Sequence, residues 1–197
     1  MRMKMAVAVI SAVLIITAVS DISAMDGERK GFVLGFGIGP AVTSFTQTLA
    51  YQGQELTSDR ENKFGVGTDF RIGYAPSNKL MIYYTNKVTW LSIENVMNED
   101  VIIVNGVGLL GVSYYLKPQT PSLYLTGTLG ISTWGDYKEI GDAWSGFGFG
   151  AGVGYEIARY WSVEGNVIYG KPGDSEMGID VNTDAVGFML TLNGTWY

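Results

Sequence analysis

The sequence predicts an all-β protein, an eight-stranded antiparallel up-and-down transmembrane β-barrel preceded by an N-terminal signal peptide. Three observations lead there. Hydrophobic residues make up 47% of the 197 and charged residues only 16%, below the roughly 25% charged of a soluble domain. Apolar and small or polar residues alternate with period two in eight segments, as in strands with two unlike faces. The connections between these segments alternate long and short, as in a barrel with short turns at one rim and longer loops at the other.

The chain opens on Arg2 and Lys4, followed by a nearly unbroken apolar run from Met5 to Val19. The run is short for a membrane helix, which needs about 20 residues, and small residues follow it. A signal peptide over residues 1–24, cleaved after Ser20 or Ala24, fits better than a permanent anchor. Losing residues 1–24 removes Arg2, Lys4 and Asp21 and moves the net charge from −6 to −7; cutting after Ser20 keeps Asp21 and gives −8. Residues 25–30 form a short N-terminal segment, and 31–197 the barrel domain.

The first segment, Gly31 to Phe45, sets Phe32, Leu34, Phe36, Ile38 and Val42 against glycines and Ala41. The second, Lys63 to Tyr74, is the clearest: Phe64, Val66, Phe70, Ile72 and Tyr74 oppose Gly65, Gly67, Asp69, Arg71 and Gly73. In the third, Leu80 to Leu91, Lys87 shares the polar face with Tyr83, Thr85 and Thr89, while Asn86 interrupts the apolar one. The fourth, Ile102 to Leu116, is blurred by Val107 and Leu109 on its polar face. The fifth, Leu123 to Trp134, alternates leucine and isoleucine with tyrosine, threonine and serine. The sixth, Gly146 to Ile157, sets Phe147, Phe149, Ala151, Val153, Tyr155 and Ile157 against glycines and Glu156. The seventh, Trp161 to Gly170, sets Trp161, Val163, Val167 and Tyr169 against Ser162, Glu164 and Asn166. The eighth is Ala185 to Tyr197. The long connections are expected at 46–62, 92–101, 135–145 and 171–184, and the short ones at 75–79, 117–122 and 158–160.

Alternation by itself does not say which face is outside, because a soluble lipocalin-type barrel alternates too, with its apolar face inward. The charges of the strands decide for lipid: Asp69, Arg71, Lys87, Glu156 and Glu164 all lie on the glycine and threonine face. Apolar-face aromatics also gather near the short-turn ends (Phe32, Tyr74, Tyr114, Tyr155, Trp161 and Trp196), as in an interfacial girdle.

With this pattern in place, the chain resembles the small eight-stranded outer-membrane barrels of the OmpX and OmpA transmembrane-domain type, a porin-like outer-membrane β-barrel domain, over about residues 31–197. The most specific part is the last dozen residues, where Phe188, Leu190, Leu192 and Trp196 share one parity. This looks like the family's C-terminal signal for the barrel-assembly machinery, with one departure: Tyr197 stands one residue beyond the outward aromatic. The resemblance implies an integral Gram-negative outer-membrane protein with both termini periplasmic. It also implies lipid and lipopolysaccharide around it, and the assembly machinery as a partner during biogenesis.

Functional classes narrow by absence. The chain contains no cysteine and no histidine, so thiolate chemistry and the commonest general base are missing. The outer-membrane phospholipases, deacylases, palmitoyl transferases and omptin proteases use a catalytic histidine, so none of these activities carries over and no enzyme is expected. No cofactor is implied. The negative charge speaks against nucleic acid.

Two constellations remain. Asp69, Arg71, Lys87, Glu156 and Glu164 are expected to pair in the lumen, with three acids against two bases leaving one carboxylate over; the cluster is either a structural plug or a gate. Asp174, Glu176, Asp180, Asn182 and Asp184 would line one face of an extended strand and offer a weak calcium or magnesium site, against the plainer reading of a solvated extension. The leading functional expectation is a non-enzymatic surface barrel, structural, adhesive or protective, acting through its outer loops on an unidentified extracellular ligand. Phe45, Leu49, Tyr51 and Leu56 of the first loop are candidates for contact. The alternatives are a small porin-like channel for ions or apolar solutes, resembling the OmpW type, and a soluble lipocalin-like ligand-binding barrel.

Overall fold

The computed structural model describes residues 28–94, 100–176 and 178–197; the expected signal peptide lies outside them. Nine strands follow one another: β1 (Gly31–Tyr51), β2 (Gln54–Thr57), β3 (Glu61–Ser77), β4 (Leu80–Glu94), β5 (Asp100–Tyr115), β6 (Ser122–Asp136), β7 (Trp144–Ala158), β8 (Trp161–Glu176) and β9 (Ile179–Trp196). Each long strand pairs antiparallel with the next, and β1 pairs with β9 to close the sheet. Eight long strands thus form the barrel, and β2 is a short return strand that, among the described residues, pairs with β1 alone.

The register fixes the stagger. Starting at Val33, the paired positions run through Gly73, Tyr83, Gly111, Thr128, Gly150, Ile168 and Gly187, and the circuit returns to β1 at Thr43. Ten residues separate its two ends. Such a stagger requires tilted strands, typically by 35–45° in a closed barrel. It also gives a narrow interior that side chains can fill.

Faces follow the alternation. Phe36, Ile38, Phe64, Leu125, Leu129, Phe149, Val153, Phe188 and Leu190 stand exposed on the outside, whereas Asp69, Arg71, Lys87 and Glu164 are buried. A water-facing wall of this kind would be unstable, so the outside faces hydrocarbon, and a soluble barrel with its apolar face inward is excluded. On β1 the outward apolar residues run from Phe32 to Val42, about 25 Å along the axis of a tilted strand, the height of an outer-membrane barrel's apolar band. Outward Ser44, Asn62, Ser92, Ser145, Lys171 and Asp184 mark its upper limit. An apolar hollow on this wall opens toward lipid where Ala151 and Gly165 leave a gap between Val167, Val153, Phe188 and Leu190.

Three expectations need correction. The outer connections are shorter than expected, because the strands continue beyond the band: β1 reaches Tyr51, β8 reaches Glu176 and β9 begins at Ile179. Above the band the outward face turns polar and the apolar residues (Leu49, Tyr51, Ile179 and Val181) move to the opposite face, so the outward apolar stripe ends while the backbone ladder persists. Phe45 is not a loop residue but a buried one, 4% exposed. On β5, Val107 does face inward and is buried, but Leu109 has a φ of 158° and stands 54% exposed. Asn86 remains on the outer face, beside Gly108.

Candidate functional site

The lumen is filled in three levels. The middle level is charged. Arg71 Nη2 bonds Glu164 Oε1 at 2.7 Å and also pairs with Asp69, while Lys87 Nζ lies 2.5 Å from Asp69 and 2.8 Å from Glu164. All four side chains are at most 4% exposed. Two bases therefore meet two acids with each charge doubly paired, the arrangement that a buried network needs. The remaining lone pairs are also used. Thr85 donates to Asp69 at 3.1 Å, Asn166 donates to Glu164 Oε1 at 2.9 Å, and the Tyr124 hydroxyl donates to Glu164 Oε2 at 2.7 Å.

Register explains how Tyr83 and Tyr124 fit beside this cluster. Tyr83 is paired with Gly111, and Tyr124 with Gly154. A Cβ on Gly111 would meet the Tyr83 ring at 2.2 Å, and one on Gly154 the Tyr124 ring at 2.0 Å. These inward glycines thus hold space for aromatic rings crossing the lumen, which tie the cluster to Ser113, Thr126 and Ser162 through their hydroxyls.

The lower, periplasmic level forms around Glu156, which sequence reasoning had grouped with the other four. The structure places it apart, paired with Arg29 of the segment before β1. Arg29 Nη1 also donates to the carbonyls of Asn78 and Lys117, 2.9 Å each, and its guanidinium lies 4.2 Å over the Tyr115 ring. Thr120 and Tyr197 donate to Glu156 at 2.8 and 2.7 Å. Both ends of the barrel chain thus meet at one carboxylate. The expected surplus carboxylate disappears, because Arg29 is the third base. It was missed because it precedes the first alternating segment; the imbalance of three acids to two bases was the signal that could have exposed it. Burial, and then the Glu156 bond, push the Tyr197 phenol up to about 12.

The upper level is apolar. Ala41, Val107, Ile168 and Met189 form one layer, and Phe45, Leu91, Trp134 and Ala185 a second above it. The Phe45 and Trp134 rings sit 4.7 Å apart.

The C-terminal residues divide as their parity demands. Phe188, Leu190, Leu192 and Trp196 face outward, while Tyr197 turns into the periplasmic mouth, 2% exposed, 5.3 Å from the Tyr160 ring. The extra residue has a partner inside.

The acidic strand face does not form as expected. The chain reverses between Glu176 and Ile179, pairing Asp174 with Val181 and Ser175 with Asp180. Asp174 therefore shares one face with Val181, Asp180, Asn182 and Asp184 occupy the other, and the backbone of Glu176 pairs with Ile179. Asp184 accepts from the Tyr169 hydroxyl at 3.0 Å. Among the described residues no three carboxylates converge on a metal position.

Charge is nevertheless concentrated at this rim. Glu55, Asp59 and Glu61 stand beside β2, Asp100, Asp136 and Asp142 on the next two connections, and Asp174, Asp180 and Asp184 on the last. Against these nine acids are Arg60, Lys63, Lys138 and Lys171, a surplus of five negative charges among described side chains. The opposite rim carries Lys30, Lys79, Lys117 and Arg159.

No family model matches the sequence, and no curated protein does. Solved structures do. The outer membrane protein OprG from Pseudomonas aeruginosa superposes with a TM-score of 0.54 at 11% identity, covering 87% of this chain and 99% of that one. The outer membrane protein AlkL, solved in lipid bilayers, gives 0.47 at 14% identity over 86% and 90%. Ail, the attachment invasion locus protein of Yersinia pestis, gives 0.38 at 14% over 80% and 98%. The closed eight-strand circuit and the apolar outer band agree with the OprG match, and the chain has the fold of the small outer-membrane β-barrels.

Proposed function

We propose that this protein is a plugged, non-enzymatic surface barrel that acts through the structure it raises above the outer face of the membrane. The observation that carries the reading is the filled lumen: Glu156 with Arg29 and Tyr197, the Asp69–Arg71–Lys87–Glu164 cluster, and the Phe45–Trp134 layer block the axis in turn. A solute would have to separate fully paired buried charges, a change that costs several kcal/mol for each uncompensated group. The band anchors the molecule, and the overhanging β1, β2, β8 and β9 are what it presents to the outside. The interior charges serve as a structural plug and not as a selectivity filter.

Planar-bilayer recording of the refolded mature protein, with Arg71→Ala beside it, tests this. Wild-type protein is expected to give a silent bilayer once folding is established by its gel mobility. Discrete openings in wild type, altered in Arg71→Ala, would replace the plug with a gated pore.

A further inference from the structure

The overhang has an apolar side that nothing described covers. Leu49 pairs across the sheet with Leu56 on β2 and with Val181 on β9, and Tyr51 pairs with Ile179. Directly paired residues share a face, so these five side chains form one patch. Its parity on β1 is that of Phe45, so the patch looks over the barrel mouth and continues the apolar layer below. Leu56 is 74% exposed, Tyr51 52% and Leu49 46%.

Lipid does not cover this patch. Leu49 lies seven residues beyond Val42, the last outward apolar position of β1, which puts it about 18 Å above the band. The headgroup layer extends only some 5–7 Å. Exposed apolar side chains rimmed by polar ones in an aqueous zone mark a contact surface.

Charge selects the partner. The rim around the patch carries the surplus of five negative charges described above. A second copy would bring the same surplus, and lipid phosphates are anionic as well; both are repelled. Geometry narrows the partner further. Among the described residues β2 has one neighbour, β1, which leaves its other edge without a partner strand. An extended segment laid along that edge would present alternate side chains to the Leu56 face and to the carboxylates. We propose that the β1–β2–β9 overhang is a docking surface for a cationic, amphipathic polypeptide segment in extended form, with alternating basic and apolar residues. This rests on the surface-barrel reading and names its class of partner.

The test uses full-length mature protein in zwitterionic lipid nanodiscs, with empty discs subtracted, and a synthetic peptide of alternating lysine and leucine. The peptide is expected to bind wild type, and the Leu49→Ser/Leu56→Ser variant at least tenfold more weakly. Both substitutions lie outside the membrane band, and an unchanged heat-dependent gel shift shows that the barrel is intact. A lysine–serine peptide of equal charge is expected to bind at least tenfold more weakly than the lysine–leucine one. Equal binding to wild type and variant overturns the proposal. So does equal affinity for a glutamate–leucine peptide, or sedimentation showing a wild-type dimer that the variant loses, which would make a second copy the occupant. A silent bilayer with no peptide binding removes this partner class alone, whereas channel openings remove the surface reading, whichever peptide binds.

Discussion

Lys87 shows what a single side chain does in this lumen. It is 1% exposed and bridges Asp69 and Glu164, so removing it leaves two carboxylates facing Arg71 alone. Lys87→Met is expected to destabilise the folded barrel by about 3–5 kcal/mol, measured by urea unfolding in lipid. The second change Glu164→Gln restores one positive against one negative charge and is expected to recover part of that loss; a double variant no better than the sum of its parts would show that the pairs are not coupled. Tyr197 gives a pH signature. Its phenol titrates at about 12 in the folded state, pushed up by burial and by its bond to Glu156, against about 10 in an unfolded chain. The folded-state value is the higher one, so its contribution to stability is complete below about pH 10 and is lost as the pH rises through about 12. The tyrosinate absorbance of wild type minus Tyr197→Phe should therefore rise near pH 12; a step near pH 10 would mean that the phenol is not held in the mouth.

At the scale of elements, the strands show where legibility ends. The segment around Phe64 to Tyr74 was readable because lipid on one side and a charged lumen on the other demand unlike residues at alternate positions. The same two solvents made Asp69, Arg71, Lys87 and Glu164 recognisable as inward. Above the band the outward face turns polar and the apolar residues change sides, so Thr46 to Tyr51 and Ile179 to Asp184 looked like loop although they pair throughout. Arg29 and Tyr197 were opaque for another reason: their partners come from turns and from β7, distant in sequence. Inter-element fit also gives a test. Gly154→Val is expected to displace the Tyr124 ring, breaking its bonds to Glu164 and Ser162, and to cost about 1–3 kcal/mol as overpacking does. By contrast, replacing 48–57 with a tight turn removes only β2 and the tip of β1, and is expected to leave the unfolding midpoint of the barrel nearly unchanged.

For the whole molecule, the band and the closed circuit dominate. The intact barrel should migrate differently boiled and unboiled in detergent; identical mobility would contradict closure. Leu190 is exposed on the lipid face at a level between Ile38 and Ala41 of β1, inside the band, so Leu190→Arg is expected to cost about 2–4 kcal/mol, whereas the same change at Thr46 should cost little. The uneven placement of charge along the axis has a kinetic consequence. Once nine carboxylates stand on one side of the hydrocarbon and Lys30, Lys79, Lys117 and Arg159 on the other, withdrawing the strands in either direction drags ionised groups through oil. The barrel is therefore fastened like a rivet with two heads, and its lifetime in the membrane is governed by the height of that exit barrier more than by the depth of its folding equilibrium.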